Sequence, residues 1–259
     1  MNDLLAALIV SLGINAIFFV AAASLKTDKV TDLSYGLTFL VIAVASLLRS
    51  GRFDAGRLLF AAIIILWSLR LVAYLFSRIL RTGVDHRFDG IREKFLRFAR
   101  FWLLQAITVW VVSLPVILYL GGNATRHIDF PLVLGGVIAL AALIYETVAD
   151  AQKSAFHRAG APGGFIRTGL WTHSRHPNYF GEMVFWWAIF VASLSAFSGA
   201  GFLAALGPLF ITVLLRFVSG VPLLEKAAEA KHASDPEYRA YKAATSILVP
   251  VPRRHSPQR

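Results

Sequence analysis

The chain has 259 residues, 57% of them hydrophobic and only 16% charged, whereas soluble domains carry about a quarter charged residues. Its net charge of +11 does not call for nucleic acid, because the basic residues fall in short links between apolar runs, where membrane proteins keep their orientation signal. The lack of cysteine excludes disulfides, thiolate catalysis and Cys-based zinc sites.

Apolar runs predict an all-α integral membrane protein, a bundle of seven transmembrane helices over 4–23, 35–48, 57–80, 101–120, 130–149, 178–197 and 202–224. A span needs about 20 residues, so the short second run is expected to begin earlier, near Thr31. The first run has no basic stretch before it and reads as a retained helix rather than a signal peptide. No linker or repeat divides the chain, which reads as one membrane domain over 1–259. With the N-terminus outside, the outer segments hold only Arg49, Arg52, Arg57 and Arg126. Inner segments then hold Lys26 and Lys29, the basic loop 81–100 with Arg81, Arg87 and Arg92, the link 150–177, and the tail with Arg253, Arg254 and Arg259. That asymmetry predicts a cytoplasmic C-terminus; a bacterial inner membrane is the expected location.

Along the chain, a few polar positions interrupt the apolar pattern. Asn15 in the first helix reads as an interhelical hydrogen bond. Asp32 and Tyr35 share a helix face, and Asp32 also suits an N-cap. In the third helix Trp67, Arg70, Tyr74 and Arg78 form one stripe; Arg70 should face the bundle, and Arg78 suits snorkelling. The loop 81–100 is expected to end in an amphipathic surface helix with Ile91, Phe95 and Phe98 on its apolar face. Glu146, Asp150 and Lys153 line one stripe at the inner end of the fifth helix.

The densest polar group lies at 163–187, GGFIRTGLWTHSRHPNYFGEMVFWW. Arg167, His173, Arg175, His176, Asn178 and Glu182 meet the mouth of an apolar run there, where polar groups are costly and read as a binding site. After Pro177, residues Asn178, Glu182 and Trp186 recur on one helix face. No dinucleotide-fold glycine motif, Walker loop or H-E-x-x-H motif is present. His173 and His176 lack a carboxylate at ligand spacing, so no metal site is expected. Arg and His suit phosphate oxygens, Asn suits an amide or purine edge, and nearby aromatic rings suit a planar group. Together they favour a phosphorylated planar cofactor reached from cytoplasmic loops, with a lipid-soluble substrate entering from the bilayer.

The segment G-L-W-T-H-S-R-H-P-N-Y-F-G-E at 169–182 resembles the C-terminal signature of the steroid 5-alpha-reductase family. The upstream E-x-x-x-D-x-Q-K-x-x-F at 146–156, then Tyr238, Tyr241 and ILVP at 247–250, match in the same order. The resemblance covers roughly 146–250. It implies a seven-helix enzyme that reduces the C4–C5 double bond of a 3-oxo-Δ4 steroid, or a related lipid enone, with NADPH. The family's cofactor residues fall on Asp150, Arg175, Asn178, Tyr179, Glu182 and Tyr241; Trp171 and Tyr238, in the matched motifs, are expected to bind the cofactor with them. Its steroid-facing tryptophan falls on Trp186. Its helix 2 acid falls on Asp32, preceded by Thr31 where the family has glutamine, and Trp67 stands nearest its helix 3 tyrosine.

On this reading, hydride goes to the β-carbon while an acid polarises the carbonyl; Asp32, Tyr35 and Glu146 are the candidates. Arg167, Arg175, His176 and Lys153 would hold phosphates, and Asn178 and Glu182 the nicotinamide amide or ribose. Membrane lipid and a hydrophobic steroid-like substrate are the expected partners, and the oligomeric state is left open. Two alternatives remain: an isoprenylcysteine-type methyltransferase using S-adenosylmethionine, which shares the R-H-P-N-Y core but typically carries paired glutamates where this chain has Glu225–Lys226, and a non-enzymatic sterol- or lipid-binding protein.

Overall fold

The computed structural model describes residues 2–25, 27–82, 90–162 and 164–252. Lys26, Arg87, Arg253, Arg254 and Arg259, which enter the orientation argument, lie outside the described residues. The described residues form helices α1 (Asp3–Ser24), α2 (Thr31–Ser50), α3 (Ala55–Thr82), α4 (Phe95–Val112), α5 (Leu114–Leu120), α6 (Phe130–Arg158), α7 (Pro177–Ala192), α8 (Leu206–Val213), α9 (Val221–His232) and α10 (Pro236–Ala244). They contain no strand, only an isolated bridge between Ser174 and Ser246.

Six stretches among the described residues are long and apolar enough to cross a membrane: Asp3–Ser24, Thr31–Ser50, Ala55–Ile79, Phe95–Val112, Phe130–Arg158 and Gly199–His232. The protein is therefore an all-helical membrane protein. The run expected over 178–197 is helical only over 16 residues, about 24 Å at 1.5 Å per residue. A short 3-10 turn, Leu194–Ala196, follows it.

Two expected spans are interrupted, each for a local reason. The run 101–120 divides between α4 and α5 because Pro115, at the start of α5, lacks the N–H that a continuous helix would need. The run 202–224 begins as a 3-10 turn, Gly199–Ala205, continues as α8, and widens into a π turn, Leu214–Val218, that carries Arg216. Gly220 follows; a Cβ there would stand 2.4 Å from the Leu215 carbonyl oxygen, so only glycine fits this break before α9.

The chain divides into two compact units, Met1–Gly136 with Ile189–Phe210, and Val137–Ala188 with Ile211–Arg259. Every boundary falls inside a helix, which is why the sequence shows no linker.

In the first unit α1 packs on α2 and α4, and α2 packs on α3. Gly36 permits the α2–α3 approach: a Cβ would meet Val72 Cγ2 at 2.6 Å. Small residues at such crossings let helix backbones close where lipid gives no hydrophobic drive. Phe98 and Trp102 bury against Ala22, with Ile91 packed on the same cluster, and Phe95 meets Phe19 at 5.4 Å. The expected surface helix is thus replaced by the start of α4: its apolar stripe is taken by α1.

Arg57, expected in an outer link, is fully buried in this unit. It donates to the carbonyls of Leu120 (3.0 Å), Gly121 (3.1 Å) and Gly122 (3.0 Å) and pairs with Asp54. A buried guanidinium is tolerated when its donors are met in this way.

Candidate functional site

The sequence-predicted residues fall into both units. Asp32, Tyr35 and Trp67 belong to the first. Asp32 is not an N-cap; Val30 holds that position, and the Asp32 carboxylate accepts from the Arg78 guanidinium of α3. Arg78 is therefore half of an ion pair rather than a snorkelling cation alone. Tyr35 packs edge-on to Phe39 at 5.2 Å, and Phe39 edge-on to the fully buried Trp67 at 5.1 Å. Arg70 lies over the Tyr74 ring at 5.4 Å.

The second unit gathers the others. α6 supplies Glu146 and Asp150, both buried, and Lys153. α7 approaches α6 closely at Gly181, where a Cβ would stand 2.8 Å from Glu146 Cβ and 3.2 Å from the Ala142 carbonyl oxygen. That proximity lets Asn178 Nδ2, at the start of α7, donate to Asp150 Oδ1 at 3.2 Å. One turn further, the indole of Trp186 donates to Glu182 Oε1 at 3.0 Å, and both side chains are buried.

The link between α6 and α7 is held from both sides. Gln152 Oε1 accepts from the Leu170 N–H at 2.9 Å. The Trp171 indole donates to the Ala149 carbonyl at 3.1 Å, while Lys153 Nζ stands 5.5 Å from its ring centroid. From the other side Tyr241 of α10 donates its hydroxyl to the Trp171 carbonyl at 2.8 Å. The tail straps residues 173–175: the Arg175 N–H donates to Ser246 (2.8 Å), the Ser174 hydroxyl to Leu248 (2.7 Å), and the Val251 N–H to His173 (3.2 Å). The matched motif at 247–250 thus fixes the matched motif at 169–182.

So strapped, Arg175 and His176 meet one carboxylate. Glu225, on the first turns of α9, forms an ion pair through Oε2 with Arg175 Nη1 at 3.0 Å and lies 2.8 Å from His176 Nε2 through Oε1. The His176 ring stacks on Tyr179, centroids 5.9 Å apart and planes at 15°. Burial holds the imidazole pKa below its usual value, opposed by Glu225. Arg175 Nε and His176 Nδ1 are buried without a hydrogen-bond partner among the described residues.

Sequence reasoning missed Glu225. The signal was the Gly220–Pro222 break, which starts a new helix and puts Glu225 within its first turns. Tyr238 is buried beside Phe165 at 5.3 Å, and Phe165 also meets Tyr241 at 5.4 Å. Arg167 stays exposed and pairs with Glu237 at 2.7 Å.

A family model described as "Protein of unknown function (DUF1295)" matches residues 18–245. The chain belongs to the DUF1295 family. No curated protein and no solved structure matches the chain. The DUF1295 match spans both units, so it takes in the α2–α3 aromatic ladder as well as the Arg175–His176–Glu225 cluster.

Proposed function

We propose that this DUF1295 protein is a membrane oxidoreductase, similar to the steroid 5-alpha-reductases, that reduces the C4–C5 double bond of a 3-oxo-Δ4 steroid or related lipid enone with NADPH. The supporting observation is that one unit holds Asn178 on Asp150, Tyr241 on Trp171, and Arg175 with His176 on Glu225, each through a direct contact. Polar side chains are not gathered this way at a membrane mouth for packing alone. The finer topology completes the reading: α7 as a seventh span, the N-terminus outside, and these residues on the cytoplasmic side of a bacterial inner membrane.

The donor set fits the cofactor. Arg175 keeps a buried Nε with no hydrogen-bond partner among the described residues, and a fork of this kind suits phosphate oxygens. Lys153 adds a second cation on the Trp171 ring, and Asn178 offers an amide matched to a carboxamide. When bound, NADPH supplies the hydride that the substrate β-carbon receives. The protein orients the reactants, excludes water and provides the proton. Glu146 is the acid candidate in the unit that holds the cluster, while the Asp32 carboxylate is taken by Arg78. Trp186, locked by Glu182, would offer an apolar wall to the lipid substrate.

The test uses purified protein in lipid nanodiscs, with NADPH oxidation followed in the presence of a 3-oxo-Δ4 steroid. Asn178→Ala should lower kcat/KM by roughly tenfold or more, and cost about 1–3 kcal/mol of stability because the buried Asp150 carboxylate loses a donor, with the protein still folded. Equal turnover in the variant, or no NADPH binding to the parent protein, would overturn the proposal. One observation favours a second reading: Glu225 holds the R-H pair of the shared core, and methyltransferases carry glutamate in this region. Binding of S-adenosylmethionine in place of NADPH would decide for methyl transfer.

A further inference from the structure

Both oxygens of Glu225 face cationic or donor groups: Oε2 faces Arg175 Nη1 at 3.0 Å and Oε1 faces His176 Nε2 at 2.8 Å. An ionised carboxylate only accepts, so Nε2 must carry the proton. The partner of one ring nitrogen sets the state of the other. A neutral ring then has a bare lone pair at Nδ1, and that atom is buried with no hydrogen-bond partner among the described residues. Were Nδ1 also protonated, a second buried donor would stand unmet beside the Arg175 guanidinium. The Tyr179 stack fixes the plane of the ring.

We propose that Glu225 and His176 form an acceptor dyad: Glu225 locks the Nε2–H tautomer, and Nδ1 accepts a hydrogen bond from an O–H or N–H of the bound ligand. For a dinucleotide the matching groups are a ribose hydroxyl or the carboxamide N–H, so the ligand class follows from the function proposed above. His176 then cannot hold a phosphate, because its lone pair repels phosphate oxygens; Arg175 and Lys153 keep that task. Glu225 is a positioning residue. It acts through His176, much as a carboxylate orients an imidazole in other sites.

The groups that bear on this titration come from several elements. Arg175 and Tyr179 adjoin the ring, Glu225 reaches it from α9, and Lys153 acts from α6. Lys242 of α10 acts on Glu225 in turn, and Glu225 acts on Tyr238. Lys153 and Arg175 both oppose an imidazolium. Protonation at lower pH would turn Nδ1 from acceptor into donor and abolish the contact.

Two measurements on the full chain in nanodiscs test the dyad. In the first, nitrogen NMR of protein labelled in histidine, with His176→Phe identifying the signal, should show a protonated Nε2 and a bare Nδ1 at neutral pH. Glu225→Ala should mix the tautomers, and Glu225→Gln, which still accepts, should restore the lock. The Nδ1–H tautomer or an imidazolium in the parent protein overturns the dyad, whatever the ligand is.

The second measurement is calorimetric binding of NAD+ and NADP+ as pH falls from about 8 to about 4.5, because burial holds the His176 pKa below its usual value. NAD+ is included because its phosphates keep a constant charge. An acceptor releases its proton on binding, so affinity should fall by up to about tenfold per pH unit below the imidazole pKa. His176→Phe should flatten that profile. Affinity that rises on acidification through His176 marks a phosphate-binding cation and overturns the dyad. Absence of dinucleotide binding at every pH sinks the oxidoreductase reading instead, and the tautomer then decides the dyad alone.

Discussion

Two buried polar clusters, one from each unit, are built on opposite terms. In the first unit Gln105 of α4 donates to Asn15 Oδ1 at 2.9 Å on α1 and to Ser34 Oγ at 2.8 Å on α2. Asn15 donates in turn to the Ser11 carbonyl at 2.9 Å, and the Ser11 hydroxyl to the Ala106 carbonyl at 2.7 Å. Every member is neutral and each is tied to a neighbouring helix. In the second unit the cluster is ionic, Arg175 and His176 on Glu225, and it retains buried atoms without partners. A neutral network with its amides met fastens helices together. A charged cluster left partly unmet is costly to keep for fastening alone, and this supports the function proposed above for the second unit.

The largest effect should come from breaking the ionic cluster on one side only. Glu225→Ala strands a guanidinium that is 12% exposed as a side chain together with the His176 ring. Losing one partner of a fully buried pair costs about 3–5 kcal/mol. Partial exposure reduces this to about 2–3 kcal/mol by the same reasoning. Denaturant or thermal unfolding in mild detergent should show it, and a loss under about 0.5 kcal/mol would mean that solvent screens the pair and the contrast between the clusters is false.

The contrast was half legible in the sequence. Asn15 announced itself because a lone amide in an apolar helix has to find a partner, and it found Gln105, the one amide of α4. The site stretch was visible for the same reason, since Arg175, His176 and Asn178 stand where an apolar run begins. Helix ends were legible only where local chemistry set them. Pro115 broke a helix that hydropathy alone ran together, because hydropathy counts apolar residues and does not register a missing N–H. Glu225 stayed hidden because a single carboxylate on a polar helix has many ordinary uses. Its role depends on the strap between 173–175 and the tail, a long-range pairing that no local pattern carries.

A smaller effect tests the neutral cluster. Gln105→Leu removes the donors to Asn15 and Ser34 and should cost about 1 kcal/mol, as interhelical hydrogen bonds in membranes do. Replacing Asn15 and Gln105 together by Leu should cost less than the two single changes added, because no amide is then left unmet. Strict additivity, measured by unfolding of all three variants, would show that the two amides do not act as one network.

The smallest effect belongs to Arg167, and it separates stability from binding. Its side chain is 43% exposed and that of its partner Glu237 64% exposed, so water screens the pair. Exposed ion pairs contribute about 0.2–1 kcal/mol and often less, and Arg167→Ala should leave the unfolding transition within about 0.5 kcal/mol of the parent. Binding should behave differently if Arg167 also serves a phosphate. An exposed arginine is free to swing from Glu237 to a stronger anion, and NADP+ affinity should then fall while that of NAD+ holds, since only the former carries the extra phosphate. Equal affinities in parent and variant would confine phosphate binding to Arg175 and Lys153, whose places are fixed by Glu225 and by the Trp171 ring.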